Sequence, residues 1–505
     1  MDTLAFVTAE LQTKQTSLDR LRRLLFGAKT EKTRPLVGAG AAPGAPGPGA
    51  EAGPSAAGTP RRGHGRTGAA AYTGAETVKV AHPSLRRGDR CPGCTTGKIY
   101  PLAEPATLVR IAGMAPLGAT VYACDRWRCN LCGEVFTAPA PAGVGTAKYD
   151  ATATTMIGLL KYGCGLPFHR IEILQQGMRI PLPAPTQWEL VRDALPPLVP
   201  AWDELLRQAA QGEVVYNDDT TMKVLALTAE QRRAAAADEE TDARTGVFTS
   251  GIVATHDRHR IALFFTGRQH AGENLAAVLA QRAADLGPPI QMCDALATNT
   301  AGDFDTLLAS CLAHARRRFV DVVDNFPAEV RHVLETVREV YRTDALARDR
   351  ALSPEERLRL HQTASGPLLA DLKTWLRQQL DDHLVEPNSG LGTAIAYMLK
   401  HWATLTLFLR VPGAPLDNNV CERALKKAIL HRKNALFYKS LAGARVGDVF
   451  MSLIHTAELN GIAPFEYLVA LQRHPQAVAL DPREWLPWTY EATLTDLRTR
   501  ASPSR

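Results

Sequence analysis

At 505 residues the chain is longer than one hydrophobic core usually organises, so two or more globular units are expected. A hydrophobic content of 45%, a charged content of 22% and the lack of any membrane-length apolar run point to a soluble protein with no membrane partner. The net charge of +6 is uneven, with 15 Lys/Arg against 7 Asp/Glu in residues 1–100; this basic front end fits a polyanion such as nucleic acid, or a merely solvated basic surface.

The chain opens without a signal-peptide pattern, because "LAFV" is short and has no basic flank before it; the expected compartment is the cytosol. Leu4, Leu11, Leu18 and Leu25 recur every seven residues, with Val7 and Leu21 partly filling a second seam that Lys14 interrupts. Residues 1–33 read as a short leucine-zipper-like coiled coil, dimeric, or as a single amphipathic helix docked on the body. Residues 34–78 are Gly/Ala/Pro-rich and then basic, a flexible linker; its "RRGHGR" (61–66) reads as a groove-seeking arm or a solvated cluster.

Over 79–141, "CPGC" (Cys91, Cys94) and "CNLC" (Cys129, Cys132) supply two knuckles whose four thiolates can close a tetrahedral Zn²⁺ site. "TLVRIAG" and "ATVYACDRW" between them alternate like a hairpin, so a structural zinc ribbon is expected, with Cys124 as a spare ligand; four unconnected buried cysteines are the other reading. Cys164, Cys293, Cys311 and Cys421 read as small core residues. Residues 142–205 are helical, and "PLPAPTQWELVRDAL" there reads as a turn plus an N-capped helix. Strands with one intervening helix follow in 206–325. Residues 326–410 are a helical insertion, 411–445 a helix, and 446–505 a C-terminal helical region broken at Asn460-Gly461. "TAEQRRAAAADEETDARTG" (228–246) reads as an exposed loop.

Two acids interrupt apolar rows. In "EVVYNDDTTMKVLAL", Val214, Tyr216, Asp218 and Thr220 share a face; in "PPIQMCDALATN", Ile290, Met292, Asp294 and Leu296 do. A buried carboxylate needs a cation or strong hydrogen bonds. Neighbouring strands could set both acids around Mg²⁺ or Mn²⁺; alternatively each Asp ends a strand and caps a turn. Two strands joined by "DRH", then a helix over 271–287, separate them. Strand, hairpin, helix and strand in that order are the plan of a ribonuclease-H-like core.

"DNNVCERALKKAILHRKNALF" (417–437) sets Glu422 at the start of a basic helix. Asn419 as N-cap with Glu422 at the third helical position would make a capping-box pair. The other reading has Glu422 complete a three-carboxylate site with Asp218 and Asp294, holding two divalent ions ~4 Å apart. Arg423, Lys426, Lys427, Arg432 and Lys433 behind it would then grip DNA phosphates.

These motifs resemble the insertion-sequence-66 family of bacterial DDE transposases over most of the chain. "RLLFGAKTEK", "CPGC…RCNLCGEVFTAPAP", "KYDATATTMIGLLKYGCGLPFHRIEIL", "NDDTTMKVL", "QMCDALATN", "CLAHARRRF" and the Glu422 segment carry the resemblance. Leu312 stands where the family usually has Trp, Ala295-Leu296 where it has Gly-Tyr, and Thr221 where Pro is frequent; no acid is lost. The resemblance implies a multidomain α+β protein with a ribonuclease-H-like catalytic core, and Asp218 rather than Asp219 as the first acid. It implies a two-metal transposase that cuts double-stranded DNA at terminal inverted repeats and joins 3′-hydroxyl ends to target DNA. It further implies a homodimer or higher assembly in the cytoplasm at the nucleoid, with small accessory proteins of the element as partners. Arg316, Arg317 and Arg318 are expected at DNA, and His314 either there or as a packed polar residue. A decayed zinc-containing regulator and a nuclease without strand transfer are the alternatives.

Overall fold

The computed structural model describes residues 83–84, 86–90, 97–100, 115–128, 132, 135–139, 141–145, 147–236, 244–302 and 304–501. The expected coiled coil and linker, together with Cys91, Cys94 and Cys129, lie outside these residues. Residues 43–115 form one unit by themselves, within which Arg90 bridges Lys98 antiparallel.

In the larger unit, strand β1 (Arg126–Arg128) pairs antiparallel with β2 (Val135–Thr137), and exposed Cys132 lies in the connection. Helix α1 (Ala151–Gly158) starts at Asp150, whose Oδ1 accepts from the Ala153 N–H at 3.0 Å, and continues into a π turn at Leu159–Gly163. Helices α2 (Phe168–Gly177), α3 (Ala184–Asp193) and α4 (Leu195–Ala210) follow. The side-chain N-cap expected for α3 is missing: Pro183 precedes the helix and Pro185 sits in its first turn, where the absent N–H would be unpaired anyway. Cys164, expected in the core, is exposed.

A mixed five-stranded sheet then forms in the order β5-β4-β3-β6-β7. Its strands are β3 (Val214–Thr221), β4 (Phe248–His256), β5 (His259–Gly267), β6 (Ile290–Cys293) and β7 (Leu307–Ser310). β3, β4 and β5 run antiparallel to one another in sequence, while β3, β6 and β7 are parallel. The β4–β5 link is tighter than "DRH": Asp257 and Arg258 alone turn the chain, with φ of 46° and 71°, the pair of left-handed residues a type I′ hairpin requires. Between β3 and β4, helix α5 (Leu225–Ala236) occupies much of the expected loop. Its alanine-rich composition favours helix, and its start is anchored where Leu225 N–H donates to Tyr438 O at 2.9 Å.

Helix α6 (Ala271–Leu279) is shorter than expected. The chain beyond it wraps the Arg282 guanidinium, which donates to the carbonyls of Ala210, Gly212 and Gly287 at 2.8 Å. After β7 come α7 (Leu312–Val320), α8 (Pro327–Asp349), α9 (Pro354–Asp381), α10 (Gly390–Lys400) and the short α11 (Trp402–Leu405). These helices bury Phe319, Val333, Leu372, Ile395 and Phe408 with Met292 of β6 in one core. A second core gathers Leu205 of α4, Ile252 and Phe264 of the hairpin, and Phe450 of a later helix. The helical insertion leaves and returns at one place: Leu312 N–H donates to Leu416 O at 3.0 Å, and Asn418 N–H to Cys311 Sγ at 3.3 Å.

Helix α12 (Asn419–Ala435) buries Cys421, Ala424, Leu425, Ala428 and His431, a stripe at helical spacing, against β3 and β4. Gly251 permits that approach, since a Cβ there would lie 2.9 Å from Leu425 Cδ2. Helix α13 (Leu441–Leu459) covers edge strand β5. Asp448, Ser452, Thr456 and Asn460 accept the N–H groups of Thr266, Phe264, Ala262 and Arg260 in turn, at 2.8, 3.0, 3.0 and 3.2 Å. Four helical residues rise ~6 Å and two strand residues ~6.8 Å, so the two repeats stay nearly in step along the edge. Helices α14 (Pro464–Arg473), α15 (Pro475–Leu480) and α16 (Tyr490–Ala501) complete the chain, with Gly461 at φ 72° ending α13 as expected. Among the described residues no helix is long and apolar enough to cross a membrane.

Candidate active site

The parallel register of β3 and β6 sets Val214 opposite Ile290, Val215 opposite Gln291 and Tyr216 opposite Met292. Continued by two residues, it brings Asp218 beside Asp294. The two acids are not placed alike, however. Asp218 lies within β3, whereas Asp294 follows the end of β6, all of whose residues are buried. The expected apolar row through Asp294 is therefore a fully covered strand that ends just before the acid.

One amide holds the pair. Asn299 Nδ2 lies 2.6 Å from Asp294 Oδ1 and 3.3 Å from Asp218 Oδ1. Its backbone carbonyl in turn accepts from Asn217 Nδ2 at 2.7 Å and Gln291 Nε2 at 2.8 Å. Gln291 also donates to Asn217 Oδ1 at 3.0 Å, and Asn418 Nδ2 donates to Asn217 O at 3.0 Å. Asn217, Gln291, Asn299 and Asn418 are all buried. Sequence reasoning missed this network: the period of two that sets Asp218 among apolar residues leaves Asn217 on the strand's other, more polar face, yet that face is also covered and Asn217 is buried. The turn bearing Asn299 nests on α6, where a Cβ on Gly272 would lie 2.0 Å from Thr300 O. Asp219 is engaged elsewhere, with Oδ2 2.8 Å from His270 Nδ1.

Glu422 comes from α12. The helix begins at Asn419 with Asn418 as its N-cap, and no side-chain cap bond forms, so the expected Asn419–Glu422 capping box is absent. Instead Glu422 Oε1 is buried without a hydrogen-bond partner, and His314 Nε2 of α7 stands 3.7 Å from it. The preceding residue ties the helix to the first acid's strand pair: Cys421 Sγ donates to Gly251 O at 3.2 Å, and Gly251 is Asp218's partner on β4. Burial raises the Asp218 carboxyl to about 7, against the pull of the Asp219 N–H, and the charges of Asp294, Asp219 and Glu422 add to the rise. Among the described residues the three acids do not bring their oxygens all within 4.8 Å of one another, whereas Glu422 is clustered so with Cys311 and His314; the like charges that help raise Asp218 still give the aspartate pair the electrostatic need of a divalent cation.

The basic residues divide. Arg423, Lys426 and Lys433 are exposed on α12 and make no ion pair among the described residues. Lys427 Nζ pairs with Glu458 at 2.9 Å, and Arg432 Nη1 donates to Thr220 Oγ1 and Thr221 Oγ1 at 3.0 and 2.7 Å. On α7, Arg316 is buried, Arg317 is exposed, and the Arg318 guanidinium stacks 3.8 Å from the Tyr397 ring centre. Lys427 and Arg432 thus bond within the fold, Arg316 is buried and Arg318 lies on Tyr397, while Arg423, Lys426, Lys433 and Arg317 are exposed.

The chain is 28% identical over 421 residues to the uncharacterized protein y4jD of Sinorhizobium fredii (strain NBRC 101917 / NGR234), covering 80% of this chain and 78% of that one. It is 27% identical over 426 residues to y4hP of the same organism, covering 79% and 73%. No solved structure matches. The family model described as "Transposase IS66 family" matches residues 147–446, from the start of α1 through all three acids to α13; the chain belongs to that transposase family.

Proposed function

We propose that the chain is a DNA transposase of an insertion sequence, with Asp218, Asp294 and Glu422 as its metal-holding catalytic acids. The observation that supports this reading is the pairing of the two aspartates on one Asn299 amide, with the charge of Glu422 reaching Asp218 and an unpaired buried oxygen on Glu422. The strand order β5-β4-β3-β6-β7, with an acid on the central strand and another just past its parallel neighbour, supports a ribonuclease-H-like core. Two divalent ions, Mg²⁺ or Mn²⁺, would supply charge to an attacking oxygen and to the oxygen that leaves. The carboxylates fix where that charge sits. Asn299 sets the spacing of two of them, and the α12 anchor at Gly251 sets the third. Arg423, Lys426, Lys433 and Arg317 bind phosphates on either side of the scissile bond.

The reaction has two displacements at phosphorus. Water attacks at the element end, the P–O3′ bond breaks, and a 3′-hydroxyl is freed. That hydroxyl then attacks a target phosphodiester, whose own 3′-oxygen leaves. Recognition of terminal inverted repeats falls to the zinc ribbon (79–141, with Cys91, Cys94, Cys129 and Cys132) and the helical segment 142–205. The coiled coil (1–33) pairs two protomers so that both ends are held together, and small accessory proteins of the element join that complex at the nucleoid.

The test is a supercoiled plasmid carrying the element's ends, incubated with protein and Mg²⁺. Wild type yields nicked and joined products, while Asp218→Asn, Asp294→Asn and Glu422→Gln each lose at least ~10³-fold. Cutting without joined donor–target products would make the protein a nuclease. Equal background from wild type and Glu422→Gln would make it a decayed DNA-binding regulator.

A further inference from the structure

We propose that Cys311, His314 and Glu422 form a binding site for one thiophilic or borderline divalent cation, Zn²⁺ foremost, which competes with the acid trio for Glu422. The competition rests on the catalytic reading above; the binding does not. One donor atom from each of the three residues lies within 4.8 Å of the other two. His314 Nε2 and Glu422 Oε1 are 3.7 Å apart, too far for a hydrogen bond. Two donors ~2.0 Å from one tetrahedral ion stand roughly 3.3 Å apart, so a small side-chain adjustment closes the site. Glu422 Oε1 and His314 Nδ1 are both buried with no hydrogen-bond partner.

The frame is built before any ion arrives. Cys311 is the N-cap of α7, His314 lies in that helix's first turn, and Glu422 lies near the start of α12. The two helix starts are laced together by the Leu312 N–H to Leu416 O bond and by the Asn418 N–H donated to Cys311 Sγ. Burial pushes the Cys311 thiol up and the Asn418 N–H on its sulfur offsets this only in part, so the ion's own charge must supply the rest of the thiolate's stabilisation. Side-chain exposure of 24% for His314 and 30% for Glu422 opens the site from one side, whereas Cys311 is 1% exposed and is reached only through it.

The donor chemistry sets the selectivity. Sulfur and imidazole nitrogen suit Zn²⁺, whereas Mg²⁺ takes oxygen ligands. Binding releases the Cys311 thiol proton to water and leaves a fourth position for a water molecule. While the ion is held, Glu422 is withdrawn from the trio, so Zn²⁺ inhibits a Mg²⁺-dependent reaction.

Full-length protein is dialysed against Zn²⁺, or against Co²⁺ as a coloured probe, and bound metal is counted. Wild type is expected to hold one equivalent more than Cys311→Ser or His314→Gln, and to show thiolate-to-cobalt absorption that Cys311→Ser weakens. Serine still accepts the Asn418 N–H, and matching melting curves establish that the variants fold. In Mg²⁺-dependent DNA cutting, Cys311→Ser should need at least tenfold more Zn²⁺ for half-inhibition. Equal metal counts in all three proteins overturn the site, and unchanged zinc sensitivity in Cys311→Ser overturns the competition. Should the protein cut no DNA, the metal count still decides the site while the catalytic reading falls.

Discussion

Asn299 is the residue on which the two aspartates depend for their spacing. Without a donor between them, two carboxylates at adjacent register positions repel, and one keeps its proton. Asn299→Ala keeps both carboxylates in the chain and removes the amide that lies against both Oδ1 atoms. The expected outcome is a 10- to 100-fold fall (order of magnitude) in Mn²⁺ affinity by calorimetry and in cutting rate, with the fold intact by circular dichroism. An unchanged Mn²⁺ affinity would reduce Asn299 to a packing residue. Asp218 adds a pH dependence of known sign. Burial and like charges raise it to about 7, so it is progressively neutralised as pH falls through that value, and cation affinity should drop with it. The nearness of the two aspartates was legible from sequence, because Asp218 interrupts an apolar strand face and Asp294 directly follows an apolar strand. Asn299 was not, since an asparagine in a turn ordinarily serves the turn, and only the folded register shows it reaching both acids.

At the scale of elements, α13 is joined to the sheet more like an extra strand than like a packed helix. Its stripe of Asp448, Ser452, Thr456 and Asn460 satisfies four edge N–H groups of β5 that would otherwise invite pairing with another chain. Removing one acceptor leaves a buried donor unpaired, so Ser452→Ala should cost about 1–3 kcal/mol in urea unfolding. Asp448 is the exception within the stripe. Burial raises its carboxyl to about 7 despite bonds from Thr266, so the stability it confers is full below the ordinary value of 3.8 and is lost as pH rises through 7. Asp448→Asn keeps an acceptor for the Thr266 N–H and carries no charge. Its melting temperature should therefore fall less than wild type's between pH 5 and pH 8, measured with saturating Mg²⁺ so that Asp218 is held charged in both; parallel curves would remove the charge from the account. The four-residue spacing of this stripe is visible in "DVFMSLIHTAELN", but helical periodicity alone reads it as a polar face. α5 went unread for the opposite reason: alanine with interspersed charge looks like loop by polarity and like helix by propensity, and the Tyr438 carbonyl anchor that decides between them comes from the distant segment that follows α12. The Glu422 helix was legible because its buried and basic faces repeat at 3.6, although its first turn was displaced by one residue once Asn418 turned inward to Asn217.

Across the whole molecule, the cations sort by what the fold leaves to each of them. Lys427 is neutralised by Glu458 and Arg432 is tied to β3, whereas Arg423, Lys426 and Lys433 point outward from the helix that carries the third acid. Phosphate contacts release condensed counterions, so each one adds about 0.9 to the slope of log affinity against log salt on duplex DNA. Replacing Arg423, Lys426 and Lys433 together by alanine should therefore lower the magnitude of that slope by about 2.7, measured by fluorescence anisotropy from 50 to 200 mM salt, with little change in preference among sequences. Lys427→Ala should change the slope by less than one contact's worth. Its loss should instead appear as a small fall in melting temperature, because an ion pair of this exposure contributes about 0–1 kcal/mol. If Lys427→Ala flattened the slope as much as Arg423→Ala, the DNA would be displacing Glu458 from its partner, and the cations of α12 would act as one surface rather than as a structural pair beside an open row. If the triple variant left the slope unchanged, the duplex would lie on another face, and the acids of β3, β6 and α12 would have to reach it without the helix behind Glu422.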